Sequence, residues 1–406
     1  MSQNHTKHTG LVTRRRLLTA TAAGGGMLML PRGIFAPAIA QTAAIKVGVL
    51  SPMSGVYASL GTNKVNGIKM LFNEKGMKTG GRAIELVVED TEAKPQEGLR
   101  KARKLVEQDN ADVLLGVISS AIGYALKDYV GRAKKVWVTT GAAADGIFKK
   151  ANNNPYAFRS SLSTWQANNP MGTWLGDKGF KNVFVTGPDY AMGREALDAF
   201  DKTFQVKGAK RAGGVYPPLG TTDFAPYLAE IKRAGPDLVY ASYAGSDAVR
   251  FVQQFASFGL GSSMKLAGYG YLAEEDTFTA QGDAAIGIYS GLNWAYGIDT
   301  PINKEFVANY RKAYNSIPTV DSVAGYVGAQ VVWDAINRLG GKVDSQEALS
   351  KAIEETKIET PRGPISFDPD THNVIQNIYI REAVKDGNEI HNKVLAKFDA
   401  IRDPGV

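Results

Sequence analysis

Ser119 and Ser120 stand together at the end of an apolar run, Val113–Ile118, and just ahead of a stretch with helical spacing, Tyr124–Arg132. Hydroxyls and free backbone N–H groups at the start of a helix bind an anion well. The same residues suit plain helix capping, so Ser119, Ser120 and Ala121 read either as an anion site or as a cap. A second loop of small residues, Thr139-Thr140-Gly141-Ala142-Ala143-Ala144, follows the next apolar run. Lack of bulk at Gly141 and Ala143 lets a ligand approach the backbone closely, and a close-packed left-handed turn has the same requirement. Aromatic residues collect at predicted strand ends and crossings: Trp165, Tyr190, Tyr240, Tyr243, Tyr269, Tyr271, Trp294 and Tyr296. Such residues can line a site for an apolar ring, with hydroxyls to orient it, or they can be ordinary core.

Other chemistries find little support. Gly268-Tyr269-Gly270-Tyr271-Leu272-Ala273 matches the GxGxxA pattern of dinucleotide sites, but it comes late and outside a clean strand–helix–strand unit. Beyond the first forty residues the histidines are His372 and His391, with no HxxxH spacing, and the chain has no cysteine. Neither a metal site nor a cofactor is therefore expected. No GxSxG elbow is present to make a serine nucleophile, so no catalytic residue is assigned and the chain is not expected to be an enzyme.

The elements that must position these loops alternate. Strands are predicted at 45–50, 84–89, 113–118 and 136–139, with helices over 64–74, from Pro95 onward, and over 124–132. A second series begins near Asn182. It has strands at 183–186, 211–216, 238–242, 266–269 and 288–292, with helices over 193–204, 224–234 and 247–258. Continuous apolar strands such as 113–118 are those of a parallel sheet covered on both faces. Two such series imply an α/β chain of two lobes. Open α/β sheets bind ligands beyond the carboxyl ends of their strands, where the loops above lie.

The first forty residues read as a leader. Thr13-Arg14-Arg15-Arg16-Leu17-Leu18 is a twin-arginine pattern, and a 14-residue Ala/Gly-rich apolar run follows it. Ala38-Ile39-Ala40 is a small-x-small cleavage site, so the mature chain would begin at Gln41 after export by the twin-arginine or the general route. The run is too short to span a bilayer, and no later segment reaches the roughly 18 apolar residues a span needs. The formal charge of +7 is mostly the leader's: it holds five bases and no acid, which leaves +2 on the remainder. Nothing there suggests a nucleic-acid partner. The lack of cysteine excludes disulfides and a lipid-anchored cysteine, which implies a protein free in the periplasm.

Four motifs, in order, resemble one family. They are Ile45-Lys46-Val47-Gly48-Val49-Leu50-Ser51-Pro52-Met53-Ser54-Gly55, Gly116-Val117-Ile118-Ser119-Ser120, Asp189-Tyr190-Ala191-Met192-Gly193 and Arg362-Gly363-Pro364-Ile365-Ser366-Phe367-Asp368. The chain resembles the type I periplasmic binding proteins of the branched-chain amino-acid ABC importers over essentially all of 44–400. The resemblance implies two Rossmann-like lobes, 44–160 plus 292–362 and 161–291 plus 363–400, with a ligand cleft between them. The crossings fall near Ser160–Ser163, Gly291–Trp294 and Arg362–Gly363. It also implies that Ser120, with the backbone at Gly141 and Ala143, holds a ligand carboxylate, and that the loop at Tyr57–Leu60 covers the same end. Tyr190, Met192 and the residues after the strand ending near Ser242 form the opposite wall, and Trp165, Tyr243 and Tyr271 bracket the organic body. The expected partners are a small carboxylate and the membrane permease subunits of an importer, with the receptor acting as a monomer.

One departure bears on the ligand. Amino-acid binders carry an acid where this chain has Gly270, and a buried ammonium without a counter-charge is strongly disfavoured. The aromatic residues and the run Asn377-Ile378-Tyr379-Ile380-Arg381-Glu382 resemble the subfamily that takes up aromatic carboxylates. Amino acids, amides and urea-like solutes are the alternatives within the family. Outside a transport role, a periplasmic enzyme or a ligand sensor are the alternatives.

Overall fold

The computed structural model describes residues 43–406. The leader, its arginines and the cleavage point after Ala40 lie outside the described residues. Among the described residues no helix is long and apolar enough to cross a membrane.

The first sheet is built from β1 (Ile45–Ser51), β2 (Lys78–Thr79), β3 (Arg82–Asp90), β4 (Val113–Gly116), β5 (Trp137–Thr139) and β6 (Ala157–Arg159), in the order β2-β3-β1-β4-β5-β6. Apart from the short β2–β3 hairpin, every neighbouring pair is parallel. β1 is buried at all but one position, as a central strand covered by helices on both faces must be. Two of those helices, Ala58–Glu74 and Val320–Arg338, come together through glycines. A Cβ on Gly67 would lie 1.9 Å from Ser322 O, and one on Gly325 would lie 2.1 Å from Lys64 O.

The second sheet contains β7 (Asn182–Thr186), β8 (Lys210–Val215), β9 (Leu238–Ala241), β10 (Lys265–Tyr269), β11 (Tyr289–Leu292), β12 (Lys357–Ile358), β13 (Ile365–Phe367), β14 (Val374–Asp386) and β15 (Glu389–Ile401). Its order is β12-β13-β14-β11-β10-β9-β7-β8, with β15 paired to β14. Side chains leave it alternately, as a strand's period of two dictates. Val183, Val185, Leu238 and Tyr240 pack with Phe200 and Phe204, whereas Phe184, Val239 and Ala241 pack with Phe224, Phe251 and Phe255.

Several boundaries differ from the sequence expectation, and two of them have a plain local reason. The strand predicted to run to Ile118 stops at Gly116, because Gly116 and Val117 take φ of +117° and +68°. A β-branched residue in that region is strained by about 1–3 kcal/mol, and this turn aims the following serines along the strand ends. The helix predicted from Lys64 begins at Ala58. Its first turn has little apolar spacing because Gly61 lies directly on Pro52, whose O is 1.6 Å from where a Cβ would sit.

Three segments connect the sheets, and amide side chains tie them together. Asn293 Nδ2 and Gln376 Nε2 both donate to Ser161 O, at 3.1 and 2.6 Å, and Asn293 Nδ2 also donates to Gln376 Oε1 at 2.9 Å. Gln166 Nε2 extends the cluster to Val374 O at 2.7 Å. Gln376 thus joins the junction, beyond the Arg362–Gly363 crossing expected from sequence. Of the intervening residues, Phe367 sets its ring edge-on to Phe158 of β6, with centroids 5.6 Å apart, and Asn373 forms a parallel bridge with Arg159 at the end of β6. Arg362 is nonetheless part of the junction, because its Nη2 donates to Ser160 O and Tyr379 Oη donates to its carbonyl at 3.0 Å. Replacing Gln376 by Leu strips Ser161 O of a buried donor, and should lower stability by about 1–3 kcal/mol in urea titration.

Candidate ligand-binding site

The carboxyl ends of three adjacent strands in each sheet face one another: β1, β4 and β5 in the first, β7, β9 and β10 in the second. Between them lies a narrow cavity with about 330 Å³ of space free of protein atoms.

Neutral hydrogen-bond donors occupy one end. The helix Ser120–Ala133 begins beside the cavity, and its N-cap residue Ser119 makes no side-chain hydrogen bond to the first turn. Ser120 Oγ accepts from Ala144 N at 3.0 Å, which locks the helix start to the loop after β5 and leaves the hydroxyl proton free to donate. Thr139 Oγ1 accepts from Ala142 N at 3.2 Å. The Ala143 N–H, between these two, has no acceptor among the described residues. Gly141 and Ala143 both line the cavity.

The walls are apolar and aromatic. Leu60 and Ile118 line the cavity from the first lobe, and Met192 and Ala244 from the second. Tyr269 and Tyr271 stand with ring centroids 5.3 Å apart and planes tilted by 46°. Tyr57 Oη and Tyr190 Oη meet at 2.9 Å across the gap between the lobes, which shuts the cavity. Burial pushes the Tyr57 hydroxyl up to about 12, and burial also raises Tyr190, so both are neutral at ordinary pH. Two further contacts hold the lobes together. Gly245, at φ +59°, brings the second lobe to the 54–57 loop, where a Cβ would lie 2.6 Å from Val56 O. Glu195 of the second lobe accepts from Asp145 N and, at 3.3 Å, from Tyr124 Oη. The conformation is closed.

No charged side chain lines the cavity. A nearby acid, Asp321, is 3.5 Å from Tyr271 Oη but is bound to Lys64 at 3.0 Å. Gly270, at the end of β10, stands beside the wall with no room for a side chain. A Cβ there would lie 2.0 Å from Leu292 Cγ, so Leu292 fills the space a longer side chain would need.

Of the residues singled out from sequence, Tyr57, Leu60, Ser120, Gly141, Ala143, Tyr190, Met192 and Tyr271 line the cavity. The others do not. Ser119 is the buried N-cap, and Ala121 points outward to solvent. Trp165 lines a separate recess with Asp145, Glu195 and Asp403, because its helix turns away at the first crossing. Tyr243 is core: its ring packs 4.7 Å from Phe251 and its hydroxyl meets Thr186 Oγ1 at 2.5 Å. Gly270 turns its carbonyl to Arg381 Nη2 at 2.9 Å and does not reach the cavity. Tyr269, named from sequence among the aromatic residues that could line a site, also lines the cavity, whereas Ile118 and Ala244 were missed.

A periplasmic binding protein family model matches residues 44–388. Leu/Ile/Val-binding protein homolog 6 of Brucella melitensis is 33% identical over 368 residues, covering 89% of this chain and 93% of that protein. An ABC transporter solute-binding protein from Rhodopseudomonas palustris BisB5, solved in complex with 3,4-dihydroxybenzoic acid, superposes with a TM-score of 0.85 at 34% identity, covering 89% of this chain and 99% of that one. A second such protein from R. palustris, solved in complex with benzoate, gives 0.84 at 30% identity over 90% of this chain and 99% of that one.

Placing a carboxylate at position 270 tests the packing of this wall. Gly270→Glu drives an ionised group into the volume of Leu292 and should cost about 3 kcal/mol or more in chemical denaturation. Gly270→Ala, an overpacking change alone, should cost about 1–3 kcal/mol.

Proposed function

The chain belongs to the periplasmic binding protein family, and on that footing we propose that it is the periplasmic receptor of an ABC importer for an aromatic carboxylate such as benzoate or a hydroxybenzoate. The observation that carries this reading is a closed cavity with aromatic walls, neutral donors at one end and no charged lining residue. A benzoate-like anion suits it. Its carboxylate can accept from the Ser120 hydroxyl and the Ala143 N–H, and its ring can lie against Tyr269 and Tyr271. The ligands named for the R. palustris proteins are of this kind. The names of the Brucella relatives favour a second reading, a branched-chain amino acid. That ligand would bring an ammonium into a cavity where no carboxylate is available to pair it.

Binding and closure are one event in this reading. The ligand takes donors from the first lobe and apolar contacts from the second, so it favours the conformation in which Tyr57 meets Tyr190. The importer's permease subunits would then recognise the closed surface. The chemistry assigned to the cavity is capture and release without a covalent step.

A thermal-shift comparison of the mature protein tests the ligand class. Benzoate or 4-hydroxybenzoate at about 100 times Kd should stabilise by about 2.7 kcal/mol and raise the midpoint by several degrees, with no shift from leucine. A shift with leucine and none with the aromatic acids would sink the proposal. Calorimetry should also find that Ser120→Ala weakens benzoate binding by about tenfold or more, the loss of a donor to a charged acceptor. Tyr190→Phe, which removes one hydroxyl of the closing pair, should speed ligand release in stopped-flow, weakening affinity by about 2–10-fold.

A further inference from the structure

An anion in a cavity without a charged lining residue needs a source of positive potential behind the wall, and the first lobe contains one. Lys64 is fully buried on the helix Ala58–Glu74. Its Nζ donates to Thr140 O at 2.8 Å and pairs with Asp321 Oδ1 at 3.0 Å. The same ammonium lies 2.5 Å from the point a Cβ on Gly141 would occupy. Gly141 lines the cavity and Lys64 does not, so a residue without a side chain is what separates the charge from the ligand space. The counter-ion sits behind another part of the wall, where Tyr271 Oη, rather than a bare backbone turn, lies 3.5 Å from the Asp321 oxygen that pairs with Lys64.

Such a pair is a poor device for stability alone. Taking both ions out of water largely cancels their attraction, and apolar residues of the same size commonly serve as well. Its orientation, however, sets a cation against the thinnest part of the wall at the carboxylate end. In a water-poor site such a charge acts with little screening.

We propose that Lys64 is a charge-selecting positioning residue, which acts through the Thr140–Gly141 turn to make the cavity prefer an anionic head group over a neutral one of the same shape. The inference rests on the aromatic-carboxylate reading and deepens it. Lys64 touches no ligand atom. Its part is to polarise the turn and bias which head group the neutral donors accept.

The test compares benzoate with benzamide, a neutral ligand of nearly the same size, by calorimetry on the mature protein. The variants are the paired Lys64→Met/Asp321→Leu, which leaves neither charge unpartnered, and the single Asp321→Asn, each checked by circular dichroism. Wild-type protein should prefer benzoate. The double variant should lose that preference by about tenfold or more while benzamide affinity stays within about threefold, a split that a merely structural role would not produce. Asp321→Asn removes the carboxylate that holds the buried Lys64 in its charged form, and burial by itself pushes Lys64 down toward the neutral amine, so the preference for benzoate should fall here too. It carries the test by itself if the double variant does not fold. A wild-type preference for benzoate that survives in a folded double variant, or in Asp321→Asn, overturns the inference and leaves the ligand class standing. Wild-type protein that binds neither compound overturns both.

Discussion

A carboxylate that leaves water gives up several hydrogen bonds, and a protein that captures it must return them or leave the ion unbound. In the proposed reading the return comes from uncharged groups that line the cavity, a serine hydroxyl and the backbone of the loop after β5. The β4–β5 arrangement follows from that constraint. The chain turns sharply at Gly116 and Val117, so the helix beginning at Ser120 starts at the cavity edge. Ser120 Oγ and Thr139 Oγ1 then take the N–H groups on either side of Ala143, which fixes the loop without using up the donor between them. Neutral donors held this way can release a ligand as well as hold it, which suits a receptor that must pass its cargo on.

The second constraint is that two lobes share one ligand. Their relation is set at the junction by Ser161, Asn293 and Gln376, one from each crossing segment, in a buried amide cluster. It is set at the mouth by Tyr57 on Tyr190 and by Glu195 on Asp145 and Tyr124. The junction contacts are buried, while the Glu195 contacts are partly open to solvent. Buried amide contacts persist, whereas contacts nearer water exchange readily with it, and this difference lets a cleft open at one side and pivot at the other.

Glycines do two jobs near the site that no other residue could do. At Gly270 the missing side chain makes room for Leu292 beside the cavity wall. At Gly141 it makes room for Lys64 Nζ behind the turn. The second position thereby brings a cation close behind the backbone of a cavity whose described lining carries no charge.

From its residue pattern alone the chain determined its two α/β series, the loops at the strand ends and most of the cavity lining. Those features depend on local spacing: apolar runs of strand length, helical periodicity and small or hydroxylic residues at the turns. Tertiary structure decided what local spacing does not contain. It sent Trp165 and Tyr243 elsewhere, because a side chain's neighbours across a crossing or a sheet are remote in sequence. It also paired Lys64 with Asp321, residues that are far apart in the chain and meet only because Gly67 and Gly325 let two helices close on each other.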